Sequence, residues 1–120
     1  QEKLEVLNGI VHPAVREDGI RWDAAHTNTP YTLREAALLY ESGIYKLLDQ
    51  IITVTAPEGI RIARVMQRDN VTEEAVKARI DKQWPEQKKV ELADFVIHND
   101  GAQSLIKQVY KIHQQLIQTP

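Results

Sequence analysis

Cysteine is absent from this chain. No disulfide, thiolate metal site or cysteine nucleophile can be built from it, and a reducing cytoplasm is permitted. Long apolar runs are missing too, since nothing approaches the ~18 consecutive apolar residues of a membrane helix. The opening Gln1-Glu2-Lys3-Leu4-Glu5 has no apolar signal core. The one methionine is Met66, so the chain is expected to begin after processing or as a cut piece. Glycine numbers five and is nowhere clustered, so no Gly-rich phosphate cradle occurs. A net charge of -2 argues against an extended nucleic-acid surface, though not against local basic faces. His12, His26, His98 and His113 share no metal-ligand spacing. Internal repeats and low-complexity segments are absent as well.

What is present is an ordinary globular balance: 120 residues, 42% apolar and 27% charged, enough for one domain with a modest core. Leu4, Leu7 and Val11, with Ile10 beside them, predict an amphipathic helix over 2–11. Pro13 is expected to stop it and open a second helix, in which Val15 and Trp22 share a face and Gly19 lowers the propensity. Thr27-Asn28-Thr29-Pro30 reads as a loop. Tyr31 to Glu35 reads as a short strand entering Ala36-Ala37-Leu38-Leu39-Tyr40. Glu41-Ser42-Gly43 breaks that run, and Ile44–Leu48 follows as a helical turn.

Ile51-Ile52-Thr53-Val54-Thr55 is the clearest strand, β-branched throughout and apolar on both faces, as a buried parallel strand should be. Pro57 opens a helix that runs to Asp69 and ends at Asn70. Thr72 can cap the next helix, with Glu73 and Glu74 at its positive end, and Trp84-Pro85 ends or kinks it. Phe95-Val96-Ile97 is a third strand. Asp100-x-x-Gln103 has capping-box form before a last helix whose stripe of Leu105, Val109, Ile112 and Leu116 reads as core. The order implies an α/β fold with a parallel sheet. Three strands are few against the usual five or six, which predicts an incomplete domain.

The charged residues carry the chemistry. Arg61, Arg64 and Arg68 recur at i, i+3 and i+7 and share a helix face, while Arg79 pairs with Gln83 at i, i+4. Guanidinium forks suit phosphate oxygens, donating paired bonds while staying charged. A solvated basic face is the competing reading, because five acidic residues lie between Asp69 and Glu86. Lys88 and Lys89 read as solvated lysines. Asn99-Asp100-Gly101 follows a strand at the edge where α/β proteins gather ligands, and it is also an ordinary turn with a cap. Glu35 and Glu41 bracket Ala-Ala-Leu-Leu-Tyr, where carboxylates could place Mg²⁺ through water or orient a hydroxyl. His12 before Pro13 reads as structural or as a contact. Trp22, Trp84, Tyr31 and Tyr110 read as core or rim aromatics rather than a base-stacking platform.

In order and with fitting gaps, these elements resemble the dephospho-CoA kinase family. The matching segments are Ile10-Val11-His12-Pro13, Glu35-Ala36-Ala37-Leu38-Leu39-Tyr40-Glu41, Arg64-Val65-Met66-Gln67-Arg68-Asp69, Ala78-Arg79-Ile80 with Gln83, Lys89, and Ala93-Asp94 through Val96-Ile97, Asn99 and Gly101. The resemblance implies a cytoplasmic enzyme that moves the γ-phosphoryl of ATP, with Mg²⁺, to the ribose 3′-hydroxyl of dephospho-CoA. The implied architecture is part of a P-loop kinase three-layer fold with a parallel sheet, a helical acceptor-binding region and a lid. Residues 1–29 would form the acceptor region, 30–57 core strands, 58–92 the lid, and 93–120 a core strand, the adenine loop and the last helix. Arg68 and Arg79 would be catalytic, His12 and Glu41 would meet the acceptor, and Arg64, Lys89, Asn99 and Gly101 would meet the nucleotide. Glu35 would meet the metal through water.

Two departures stand out. Glu35 replaces the family's Asp, moving the carboxylate by roughly 1.5 Å, one C–C bond, and Ala37 replaces its Pro. The family's Gly-rich Lys-Ser/Thr cradle and its general-base Asp do not occur, so the chain is expected to be a carboxyl-terminal portion, inactive alone and missing a partner segment of the same enzyme. A missing strand between those at Tyr31 and Ile51 would leave a gap in the sheet that could drive self-association. The alternatives are a non-enzymatic nucleotide- or partner-binding module and another nucleoside or nucleotide kinase. No nucleic-acid or membrane partner is expected.

Overall fold

The structure is a computed structural model that describes residues 2–118, apart from the side chains of Glu2 and Leu4. It falls into two compact units, residues 2–35 and 36–118.

The first unit is dominated by one helix, α1 (Glu2–Ala25), of 24 residues with Pro13 inside it. The expected break at Pro13 does not occur. Proline removes the N–H that would bond the Gly9 carbonyl, but Gly9 lies on an exposed stretch, where water can serve that carbonyl. The expected apolar stripe is not buried: Leu7 and Val11 are exposed, and Ile10 is 67% exposed. Gly19 has a packing reason that propensity hides. A Cβ there would lie 2.6 Å from Nη2 of Arg34, whose guanidinium donates to Asp23 at 2.7 Å. Thr32 Oγ1 donates to the other Asp23 oxygen at 2.9 Å. Residues 31–36 carry no regular structure, which corrects the strand expected at Tyr31 to Glu35. Side chains tie this segment to α1, and among the described residues no strand pairs with it.

The second unit carries the sheet. Strands β1 (Ile52–Thr55) and β2 (Phe95–His98) pair in parallel, Ile52 opposite Phe95 and Thr55 opposite His98. The Asp94 carboxylate accepts from the Ile51 amide at 2.7 Å and so fixes the start of this ladder. On the outer side of β2 the Gln108 side-chain amide takes the place of a strand. It accepts from the His98 amide at 2.8 Å and donates to the His98 carbonyl at 3.0 Å. Between the strands come α2 (Glu58–Asp69), α3 (Glu73–Ile80) and α4 (Glu86–Glu91), and α5 (Leu105–Leu116) follows β2. A 3₁₀ turn at Ile44–Leu47 matches the expected helical turn.

The boundary chemistry of α2 and α3 is as read from sequence. Pro57 precedes α2, Asn70 ends it in the left-handed region at φ 53°, and Thr72 caps α3 by accepting from the Ala75 amide. Two boundaries differ. α3 stops at Ile80, before Trp84-Pro85, and Pro85 instead opens α4. Ser104, not Asp100, caps α5. Asp100 closes its own turn by accepting from the Ala102 and Gln103 amides, as short Asx side chains do.

The core comprises Tyr40, Ile51, Ile62, Val76, Ile97 and Ile112. Each fully buried aliphatic side chain contributes about 1.5–3 kcal/mol. The stripe expected on α5 is only partly core, since Ile112 is buried while Leu105 and Val109 stay exposed.

Candidate functional site

Three clusters of polar side chains lie in the second unit, each formed from residues on different elements. The first is at the carboxyl edge of the sheet. The Asn99 amide extends the ladder by donating to the Thr55 carbonyl at 2.8 Å. Arg64, one and a half turns into α2, reaches across to donate to the Asn99 carbonyl at 2.8 Å. Gly101 sits at φ 87°, a left-handed conformation that glycine adopts without strain, and open space surrounds the position of its missing Cβ. Hydrogen bonds from Ala102 and Gln103 hold the Asp100 carboxyl below its ordinary value. The loop after β2 is thus held from the strand, the helix and within itself.

The second cluster is at the tip of the α2–α3 hairpin. Arg68 donates to Asp69 through Nε at 2.7 Å and Nη2 at 3.3 Å, and Arg79 donates to Oδ2 of the same carboxylate at 2.9 Å. The two guanidiniums hold the Asp69 pKa down to about 2, the Arg68 bond more strongly than that of Arg79. Both arginines are exposed, at 73% and 55% of their side-chain surface. Two forks converging on one oxyanion form the donor geometry that a phosphate group requires.

The third cluster is half-buried. Glu41 Oε1 accepts from the Trp84 amide at 2.8 Å and pairs with Lys89 Nζ at 3.0 Å. Lys89 also donates to Gln83 Oε1 at 3.2 Å. Burial pushes the Glu41 pKa up, yet the Trp84 and Lys89 bonds together hold it below the ordinary value. Among the described residues the other carboxylate oxygen, Oε2, is buried with no hydrogen-bond partner. Tyr40, beside Glu41, donates to the Lys89 carbonyl at 3.0 Å, and its ring stacks on Trp84 at 5.8 Å. Lys88 Nζ lies 3.8 Å from the Trp84 ring centroid, within cation–π range.

Arg61 braces the base of the hairpin. It donates to the Ala56 carbonyl at 3.0 Å and to Glu86 at 3.3 Å. Next to it is a cavity of about 480 Å³ lined by Glu58, Arg61, Ile80, Asp81, Trp84 and Glu86, among others. Three carboxylates against one guanidinium make this cavity a poor seat for an anion.

Of the residues singled out from sequence, Arg64 and Asn99 meet directly, Arg68 and Arg79 meet through Asp69, and Glu41 and Lys89 meet each other. Gly101 shapes the Asn99 loop. His12 and Glu35 belong to the first unit and are both exposed. Sequence reading did not single out Asp69, Gln108 or the Trp84 amide as site elements. The spacing of Asp69 and Arg79 across a helical hairpin was the available signal for the first; a backbone amide and a side chain acting as a strand leave none.

Among the described residues no group of three or more His, Asp or Glu side chains could hold a metal ion.

Parallel strands with helices between them define an α/β protein, a class whose ligands gather at the carboxyl ends of the strands. A family model for dephospho-CoA kinase matches residues 1–104. The dephospho-CoA kinase of Chlorobaculum tepidum is 42% identical over 119 residues, covering 97% of this chain and 57% of that protein. That of Chlorobium chlorochromatii is 36% identical, covering 98% and 57%. A crystal structure of a Thermus thermophilus protein superposes with a TM-score of 0.83 at 32% identity, covering 95% of this chain and 59% of that one. The chain belongs to the dephospho-CoA kinase family, and it spans 57% of the length of these two curated relatives.

Proposed function

We propose that this chain serves the transfer of the ATP γ-phosphoryl to the ribose 3′-hydroxyl of dephospho-CoA, giving ADP and coenzyme A, as part of a longer polypeptide. Arg68 and Arg79 supply the charge that the transferring phosphoryl group needs. The observation that carries this reading is their convergence on the Asp69 carboxylate, because the same forks fit a phosphate. Phosphoryl transfer depends on positioning and charge neutralisation more than on covalent chemistry, and a hairpin that brings two arginines while excluding water supplies both. Arg64, Asn99 and Gly101 shape the nucleotide's base loop, and Lys89 lies on the nucleotide side of the hairpin base. His12 is assigned to the acceptor, and Glu35 to Mg²⁺ through water. In this scheme residues 1–29 form the acceptor region, 30–57 the core entry, 58–92 the lid, and 93–120 the base loop and closing helix. Cytoplasmic location follows from the substrates.

The five glycines at positions 9, 19, 43, 59 and 101 form no Gly-rich cradle for the β- and γ-phosphates. The 120-residue chain incubated with ATP and dephospho-CoA is expected to give no coenzyme A by chromatography. Joined to the segment of the Chlorobaculum tepidum relative that it does not match, it should turn over. Arg79→Ala should then lower kcat by on the order of 100-fold. A joined protein that binds both substrates without turnover would sink the proposal.

A further inference from the structure

The α2–α3 hairpin is held unequally at its two ends. Its tip carries only exposed ion pairs, Arg68 and Arg79 on Asp69, of a kind worth little each. Its base runs into the strap of residues 81–89, where Arg61 bonds Glu86 and two adjacent side chains, Tyr40 and Glu41, hold Trp84 and Lys89. Glu41 takes the Trp84 amide and the Lys89 ammonium on one oxygen. Tyr40 takes the Lys89 carbonyl and stacks on Trp84. Lys89 in turn holds Gln83. The Glu41 and Lys89 side chains are only 16% and 12% exposed.

Apolar packing of the same volume would stabilise this spot at least as well as an ion pair, and would not leave Oε2 of Glu41 buried without a partner. What an ion pair adds is direction. A carboxylate oxygen shared by a backbone amide and an ammonium admits one register of the strap, and that register fixes the end of α3, whose last turn carries Arg79.

We propose that Glu41 is a positioning residue: with Lys89 it anchors the strap of residues 81–89 in one register and so places Arg79 beside Arg68. The assignment deepens the phosphoryl-transfer reading and rests on it for its purpose, though not for its geometry. Glu41 acts through the strap and need not touch a substrate.

The test uses the 120-residue chain with Glu41→Ala and Glu41→Gln. Glutamine keeps an acceptor for the Trp84 amide, so it is the conservative rescue, and it remains informative should the alanine variant fold poorly. Amide hydrogen exchange read by mass spectrometry should speed up by roughly tenfold or more over residues 81–89 in Glu41→Ala, with β1 and β2 unchanged and with most protection regained in Glu41→Gln. Affinity for inorganic tripolyphosphate, read by NMR titration, should fall several-fold in Glu41→Ala and recover in Glu41→Gln. Arg79→Ala should lose it without change in strap exchange. Unchanged exchange over residues 81–89 in both Glu41 variants overturns the anchor. Faster exchange with full tripolyphosphate affinity overturns the link to Arg79. Absence of tripolyphosphate binding by the unsubstituted chain counts against the phosphate reading, while the exchange measurement still decides the anchor.

Discussion

Lys89→Met tests whether the Glu41–Lys89 pair holds the second unit together. The substitution keeps most of the side-chain volume and removes the ammonium. Glu41 would then keep the Trp84 amide but lose its ammonium partner, with Oε2 already buried and unpaired among the described residues. Breaking a fully buried pair by deleting one partner costs about 3–5 kcal/mol. Here the two side chains keep 12% and 16% of their surface, and one charge-assisted backbone bond survives, so the expected loss is about 2–3 kcal/mol. For a chain of this size that lowers the midpoint by roughly 6–15 °C. The assay is urea unfolding followed by circular dichroism, run as a cycle with Glu41→Leu and the double variant. Glu41→Leu with Lys89→Met should be markedly more stable than the sum of the single losses, since neither leaves a buried charge behind. A Lys89→Met protein within about 0.5 kcal/mol of the parent, the scatter of ordinary surface substitutions, would refute the reasoning.

The remaining expectations concern single sites. The Asp69 carboxyl titrates near 2 in the folded chain, below its ordinary 3.8; a depressed pKa adds stability above the unfolded value and loses it as pH falls from 3.8 toward 2. Asp69→Asn should therefore flatten the acid limb of the stability profile in that window, read by thermal melts at stepped pH. Gly101→Ala meets no atom but must adopt φ 87°, so it should cost about 1–2 kcal/mol in urea unfolding from backbone strain alone. Thr72→Ala removes the acceptor of the Ala75 amide and should cost about 1 kcal/mol, with faster amide exchange confined to the first turn of α3.

Local chemistry made part of this fold legible. β-branched residues at 51–55, proline at 57, a left-handed asparagine at 70 and a capping threonine at 72 act through their own backbone or a neighbour's, and the structure places elements where they point. The errors share one cause. Proline at position 13 is tolerated inside α1, where the freed Gly9 carbonyl is open to water, and nothing local says that Gly9 is exposed. Tyr31 to Glu35 has strand composition, but a strand needs a partner, and Asp23 claims Thr32 and Arg34 first. Asp100 has the spacing of a cap yet folds onto its own turn, leaving the role to Ser104.

The candidate site divides the same way. Arginines at helical spacing could be a solvated face or a phosphate clamp, and the contrast between their acceptors now bears on that choice. Arg61 and Arg64 each bond a main-chain carbonyl, that of Ala56 and that of Asn99, so neither is a simple surface cation. Both instead brace the backbone around the carboxyl edge of the sheet. Arg68 and Arg79 share one carboxylate at the hairpin tip, where a competing dianion would meet two forks already converged and only one side chain to displace. Spacing put Arg61, Arg64 and Arg68 on one helix face and paired Arg79 with Gln83 on the next helix. Acceptor identity separates the two that bond main-chain carbonyls from the two that share one exposed carboxylate and can exchange partners.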